Sequence, residues 1–217
     1  MSGQQDYLPA ASWHVFTRLF DPLVAVTMRE RTFRARLREQ MLRDLSPPAT
    51  IVDVGAGTGT LAIDLAAAAP SATVIGIDTD PEILAIARGK PGAERVEFRQ
   101  GMAQELPLPD ASADRLVISL VLHHLQPEDK RRALTEARRV LRPDGRLHIA
   151  DFGRPAGFLG RAGFLFVQIA DGFSNTREHA AGRLPQLFGV EGFDAARRHS
   201  RLRTAFGSLE LLSAQPV

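Results

Sequence analysis

The chain has 217 residues, of which 44% are hydrophobic and 24% charged, the balance of one folded domain with an extension rather than of a disordered chain. Cysteine is absent, which excludes disulfides, thiolate-held metal and a thiolate nucleophile. Net charge is only +2 although the isoelectric point is about 9.6, because the basic residues are nearly all arginine and Lys90 and Lys130 are the only lysines. The opening MSGQQDYLPAASWH has no basic-then-apolar targeting pattern, and no run approaches the ~20 apolar residues of a membrane span. A cytoplasmic protein without membrane insertion, monomeric or homodimeric, is expected.

Residues 12–45 read as helical with a break at Asp21-Pro22, and Ser46-Pro47-Pro48 stops the run. This predicts an N-terminal helical cap over 1–48 and a single structural unit over 49–217. Strand and helix then alternate. TIVDV (50–54) leads through a glycine-rich turn into a helix at 60–69. ATVIGID (72–78) precedes a helix opened by Pro81, and strands follow at 95–99 and 115–120. A charged amphipathic helix at 127–141 stops at Pro143-Asp144-Gly145, before RLHIADF (146–152). Strands apolar throughout and separated by helices predict a parallel sheet covered on both faces. Beyond 153, an apolar stretch punctuated by glycine (156–173) precedes a helical one (175–189). Two alternating segments, 194–203 and 207–214, predict an antiparallel pair at the sheet edge.

Gly55, Gly57 and Gly59 stand at every second position between the first strand and its helix, with Ala56 between them. Glycine there permits a sharp turn and close approach of backbone to a ligand at the strand tips. The third glycine of a dinucleotide fingerprint would fall at position 60, which is Thr60. Asp53 precedes the turn, disfavouring a pyrophosphate and suiting a cationic ligand. Asp78 ends the second strand, where a carboxylate can accept from ribose hydroxyls. Together these features favour a nucleoside carrying positive charge, such as the sulfonium S-adenosylmethionine, over NAD.

VDVGAGTGTLAIDLA, GIDTDPEILAIAR, ELPLPDASADRLVISLVLHHL and EARRVLRPDGRLHIADF resemble, in order and spacing, the class I S-adenosylmethionine-dependent methyltransferases. The branch that includes the ubiquinone/menaquinone-biosynthesis type is the most similar. The resemblance spans about residues 50–153 and more loosely the flanks. It implies an α/β, Rossmann-like three-layer sandwich whose seven-stranded sheet has the order 3-2-1-4-5-7-6, the last strand antiparallel. It assigns Asp53, Gly55, Ala56, Gly57 and Gly59 to the methionyl part of the cofactor and the turn. Asp78 falls on the ribose acid and Thr79 lies beside the adenine. The acid that many relatives place against the adenine amino group is here Met102, leaving the Ala103 backbone and packing on Met102 for that role. Ser119 falls near the methionyl part, and S-adenosylhomocysteine would be the product.

Methyl transfer to a protonated acceptor needs alignment, exclusion of water and a base. His123 and His124 after the fourth strand and Asp151 at the end of the fifth are the candidates. His14 and His179 fall in segments expected to cover the acceptor, whereas His148 and His199 read as structural or exposed. No Asn/Asp-Pro-Pro-aromatic string follows the fourth strand, which argues against nucleic acid as the substrate. Ser119 stands where the metal-dependent catechol type would place an acid, so no metal is expected. Phe158, Phe164, Phe166 and Phe173 suggest an apolar or aromatic small-molecule acceptor, quinone-like or a secondary metabolite, or else an exposed patch or a plain core helix. The arginine-rich stretches 29–38, 137–139 and 196–203 read as solvated faces or as attraction to an anionic substrate or lipid surface. That leaves a phospholipid headgroup N-methyltransferase, with peripheral lipid contact, and a non-catalytic S-adenosylmethionine-binding protein as alternatives.

Overall fold

The computed structural model describes residues 29–217. Of the expected cap, residues 1–28, with His14 and the break at Asp21-Pro22, lie outside the described residues. The remainder forms helix α1 (Glu30–Leu42), which buries Phe33, Leu37 and Met41 on one face. That face packs against α2 (Thr60–Ala68) and the fifth strand. The strands β1 (Thr50–Val54), β2 (Thr73–Asp78), β3 (Val96–Gln100), β4 (Ala113–Ser119), β5 (Leu141–Gly153), β6 (Arg197–Thr204) and β7 (Gly207–Ala214) make one sheet. Its order is β3-β2-β1-β4-β5-β7-β6. The first five pair in parallel, and β7 runs antiparallel to both β5 and β6, as expected.

Period-two side-chain alternation divides the apolar strands between two cores. Ile51, Val117 and Leu211 point to the face covered by α1, α2, α3 (Pro81–Arg88) and α5 (Gly157–Asp171). Val52, Val54, Leu116, Ile118 and Leu212 point to the face covered by α4 (Pro127–Val140) and α7 (Leu184–Val190). Local chemistry sets several boundaries. The Asp80 carboxylate caps α3 by accepting from the backbone N–H of Glu82 at 2.8 Å, with Pro81 in the first turn. Acidic Glu128 and Asp129 open α4, and Arg138 and Arg139 close it, matching the helix dipole.

Two departures from the sequence expectation are larger than the shifts of two or three residues at the starts of β4 and β6. The strand expected from Arg146 starts at Leu141, running on through the Pro-Asp-Gly that was expected only to end the helix. The helical stretch 175–189 is split into α6 (Arg177–Ala181) and α7 by Gly182, whose φ of 70° is left-handed.

Arg115 fastens α1 to the lower edge of the sheet. Its buried guanidinium donates to the carbonyls of Met41 at 3.2 Å and Asp44 at 3.2 Å. These carbonyls belong to the end of α1 and the turn after it, where a helix leaves acceptors unpaired. Arg115→Met retains the stem and removes the donors, and is expected to cost about 2–3 kcal/mol of stability in urea denaturation. An unchanged midpoint would exclude this clamp.

Candidate active site

The glycine turn leaves the tip of β1 and is held from below by β2. The N–H groups of Gly55 and Ala56 both donate to the Ile77 carbonyl, at 2.8 and 2.9 Å. Gly55, Gly57 and Gly59 all have left-handed φ, between 53° and 73°. Gly55 also allows close packing, since a Cβ there would lie 2.1 Å from Cγ2 of Val121 in the segment after β4. At Gly57 a Cβ would meet nothing within 4 Å, so this part of the turn faces open space.

Both predicted carboxylates stand at this turn. Asp78 accepts from the Gly57 N–H at 2.8 Å and from the Asp80 N–H at 3.1 Å, which ties the second strand tip to the glycine turn. Asp53 is 1% exposed and its Oδ2 has no hydrogen-bond partner. Burial drives its pKa up to about 7. The positive charge of Arg34 and a bond from the Ala62 N–H oppose that rise, and the neighbouring charge of Asp78 adds to it. Thr79 is exposed next to Asp78. Met102 is 49% exposed and therefore not core filling, whereas Ala103 is buried beneath it. Ser119, half-buried, ends β4.

Past Ser119 the chain enters a single 3-10 turn, Leu122–His124, that carries both candidate histidines. The buried His123 shares a 2.7 Å hydrogen bond between Nδ1 and Oδ1 of Asp151. The same oxygen accepts from the Phe152 N–H at 2.7 Å. Burial raises the Asp151 pKa, but His123, His179 and the Phe152 N–H outweigh it and hold the carboxyl below the ordinary range. The half-exposed His124 pairs through Nδ1 with Oδ1 of Asp171, also at 2.7 Å. Its shielding from water opposes the charged form. The hydrogen bond and charge of Asp171, with Asp151 behind, prevail and raise its pKa above 6.5. The two imidazole rings lie 4.0 Å apart between centroids. The structure thus brings His123, His124 and Asp151 together.

It adds three residues that sequence reasoning did not assign to the site. Asp171, at the end of α5, is the one acid in the apolar stretch 156–173, which is the signal that could have singled it out. Lys90 donates to the hydroxyls of Thr58 at 2.7 Å and Thr60 at 2.9 Å, pinning the outer limb of the glycine turn. Phe98, on β3, fills the space beneath Gly59 and Gly76, at either of which a Cβ would come within 2.8 Å of its ring. His179 is buried, with Nε2 3.7 Å from Asp151, and burial lowers its pKa to about 4. His148, expected to be structural, is buried mid-strand and lowered to about 3, first by burial and then by Arg115 and Arg146. Of the four phenylalanines, Phe164 is core, while Phe158, Phe166 and Phe173 are exposed. His123, His124 and Asp171 place ligand-type atoms within 4.8 Å of one another. Hydrogen bonds from these imidazoles to carboxylates account for that arrangement.

Residues 51–145 match the family model described as a methyltransferase domain. Over that segment the chain has a methyltransferase domain, and it is similar to class I S-adenosylmethionine-dependent methyltransferases of the ubiquinone/menaquinone-biosynthesis type. It is 38% identical over 124 residues to the demethylmenaquinone methyltransferase of Deinococcus radiodurans, covering 56% of this chain and 51% of that protein. It is 34% identical over 166 residues to the malonyl-[acyl-carrier protein] O-methyltransferase of Methylococcus capsulatus, covering 75% of this chain and 58% of that one. The chain spans about half the length of the curated relatives it matches. Its fold is shared with the magnesium protoporphyrin IX methyltransferase of Synechocystis, solved with bound SAH. The TM-score is 0.73 at 21% identity, over 98% of this chain and 97% of the other. No helix among the described residues is long and apolar enough to cross a membrane.

The raised pKa of Asp53 has a definite sign. Stability that is fully present below the ordinary carboxyl value of 3.8 is lost as pH rises through about 7, where the folded state must hold a buried charge. His148 and His179, both lowered, act oppositely. They contribute above 6.5, and that contribution is lost as pH falls through about 4 and 3. Asp53→Asn retains the histidines and removes only the first effect. The wild-type stability minus that of the variant should therefore fall by on the order of 2 kcal/mol between pH 5 and pH 8 in denaturant titrations. A pH-independent difference would show that Asp53 is not titrating abnormally.

Proposed function

We propose that this domain transfers a methyl group from S-adenosylmethionine to a small apolar or aromatic acceptor, with His124 as the base. The observation that carries the reading is one juxtaposition. Val121, which packs directly on Gly55, lies three residues before His124, so the ligand-facing turn and a histidine–carboxylate pair share one rim of the sheet.

The residues at the turn fit the cofactor. An unpartnered buried carboxylate oxygen on Asp53 calls for a cation, and the open space at Gly57 leaves room for a ligand against the backbone. Asp53 with Gly55, Ala56, Gly57 and Gly59 would hold the methionyl part, and Ser119 would lie near it. Asp78 would accept from the ribose, and Thr79, Met102 and Ala103 would border the adenine. When bound, the cofactor supplies an electrophilic methyl group on a sulfonium, for in-line displacement by the acceptor. The protein's task is then alignment, shielding and proton removal.

His124 suits the last task. Its Nδ1 is committed to Asp171, which fixes the ring and leaves Nε2 of this half-exposed side chain to take an acceptor proton. Asp171 is a positioning residue that also raises the basicity of His124. The buried His123–Asp151 pair, packed against the ring of His124 at a 40° tilt, is a second positioning layer. Helix α5 ends at Asp171 and carries Phe166 and Ile169 exposed at 68% and 67%, an apolar surface on the helix that bears the partner of this base. The quinone-type relatives support an apolar ring as the acceptor.

Calorimetry with S-adenosylhomocysteine should show binding, weakened by ~1–3 kcal/mol in Asp78→Ala. With a quinol-type acceptor, His124→Ala is expected to lower kcat by roughly 10²–10⁴-fold with cofactor affinity unchanged. Asp171→Asn should shift the rising limb of the rate against pH toward lower pH, because the imidazole loses the charge that elevates its pKa. Cofactor binding with no turnover on any acceptor would favour a binding protein over an enzyme.

A further inference from the structure

The two long arginine-rich stretches that methyl transfer leaves unused meet in space. Helix α1 presents Arg36, Gln40 and Arg43 along the flank turned away from Asp53, while Arg34 lies on the opposite flank. The start of β6 presents Arg197, Arg198, His199 and Ser200. Between these two walls lies a cleft of about 420 Å³, within the range of ~300–1,000 Å³ typical of small-molecule sites. It is separate from the glycine turn. Arg197 pairs with Ser213, Ser213 with His148, His148 with Val117, and Val117 with Asp53. Four strand spacings, about 19 Å, therefore divide the cleft from Asp53.

The charges in the cleft are not balanced from within. Arg43 meets Glu39, the one acid in the lining, at 3.2 Å, and Arg198 meets Glu210 at 3.3 Å. Neither Arg36 nor Arg197 is paired with a carboxylate among the described residues. Two buried oxygens in the lining, Oε1 of Gln40 and Oγ of Ser200, have no hydrogen-bond partner. His199, anchored through Nε2 to Ser213 at 2.7 Å, is held below the ordinary imidazole range by burial first, then by Arg197, Arg146 and Arg43. The cleft is thus a cationic concavity with guanidinium forks on both walls. Such forks match the oxygens of a phosphoryl group two at a time.

We propose that this cleft binds a phosphate-bearing anion, at a site distinct from the one that would transfer the methyl group. A soluble phosphate ester and the headgroup of an anionic phospholipid offer the same chemistry, and two measurements separate them. The first titrates pyrophosphate into the full chain by calorimetry at low ionic strength. Saturable heat is expected, with affinity falling as salt is added. The second is co-sedimentation with phosphatidylglycerol vesicles, with phosphatidylcholine vesicles as the control.

The double substitution Arg36→Ala, Arg197→Ala should weaken whichever binding is seen by at least about ten-fold, at an unchanged thermal midpoint. Both side chains are exposed, so the fold should tolerate their loss. Gln40→Glu, which places a carboxylate in the cleft at nearly constant shape, should weaken it as well. Pyrophosphate heat without vesicle binding assigns a soluble ester. Vesicle binding specific to phosphatidylglycerol and lost in the variants assigns the lipid headgroup. No pyrophosphate heat together with no phosphatidylglycerol binding, or binding undiminished in both variants, overturns the proposal.

Discussion

The upper edge of the sheet is governed by a charge that the protein does not neutralise. Asp53 is buried at the tip of β1 with one oxygen unpartnered, and isolated burial of a carboxylate is among the costlier things a fold can do. The surroundings relieve that cost only in part. Arg34 acts on Asp53 as a field and is itself paired with Glu30, while Asp78 repels it. The cost is borne where the glycine turn begins, and a cation arriving there would relieve it. The three left-handed glycines, the Phe98 ring beneath them and the Lys90 ammonium across Thr58 and Thr60 hold that turn in one shape. Pre-organisation of this kind leaves little ordering for a ligand to impose.

On the neighbouring rim the carboxylates are more fully answered, although Oδ2 of Asp151 also lacks a hydrogen-bond partner. Oδ1 of Asp151 is shared by His123 and the Phe152 N–H, with His179 3.7 Å away as a nearby charge only, and Asp171 is paired with His124. The parallel topology makes this pairing possible, since β4 and β5 end side by side and α5 returns its last residue to the same place. Helix α5 is apolar on both sides, with Phe164 and Val167 inward and Phe158, Leu159, Phe166 and Ile169 outward. A helix apolar all round is ordinarily enclosed. Here only one side is enclosed among the described residues.

Much of this was legible in the sequence because it rests on local patterning. Apolar runs of five to seven residues between helices predicted the parallel sheet, and the alternation in 207–214 predicted β7 with its bounds. The glycine spacing with Asp53 and Asp78 predicted the turn, since both carboxylates lie at strand tips whose neighbours in the sheet follow from the fold class. What could not be read depends on pairing across long separations. Asp171 lies 47 residues from His124, and its role emerges only when α5 folds back over the sheet. Lys90 gave no periodic signal, and its function is to reach two threonines 30 and 32 residues earlier. The arginines of α1 and β6 read as separate solvated faces because no local pattern brings an N-terminal helix beside the penultimate strand. The split at Gly182 was missed for a different reason. Glycine within a short amphipathic run reads equally well as a weak helical residue and as a terminator.

The two outermost strands have a consequence for how copies of this chain behave together in a crowded solution. A seven-stranded open sheet exposes a row of unsatisfied peptide groups at either margin, and such margins recruit foreign strands into fibrillar stacks. On β3 the exposed Glu97 and the guanidinium of Arg99 bind each other at 2.8 Å along the margin. On β6, Arg198, Arg201 and Arg203 project from the other margin, two of them tethered to Glu210 across the ladder. An incoming strand would have to strip water from these ions at both margins, so among the described residues the sheet is guarded against lengthening by charge.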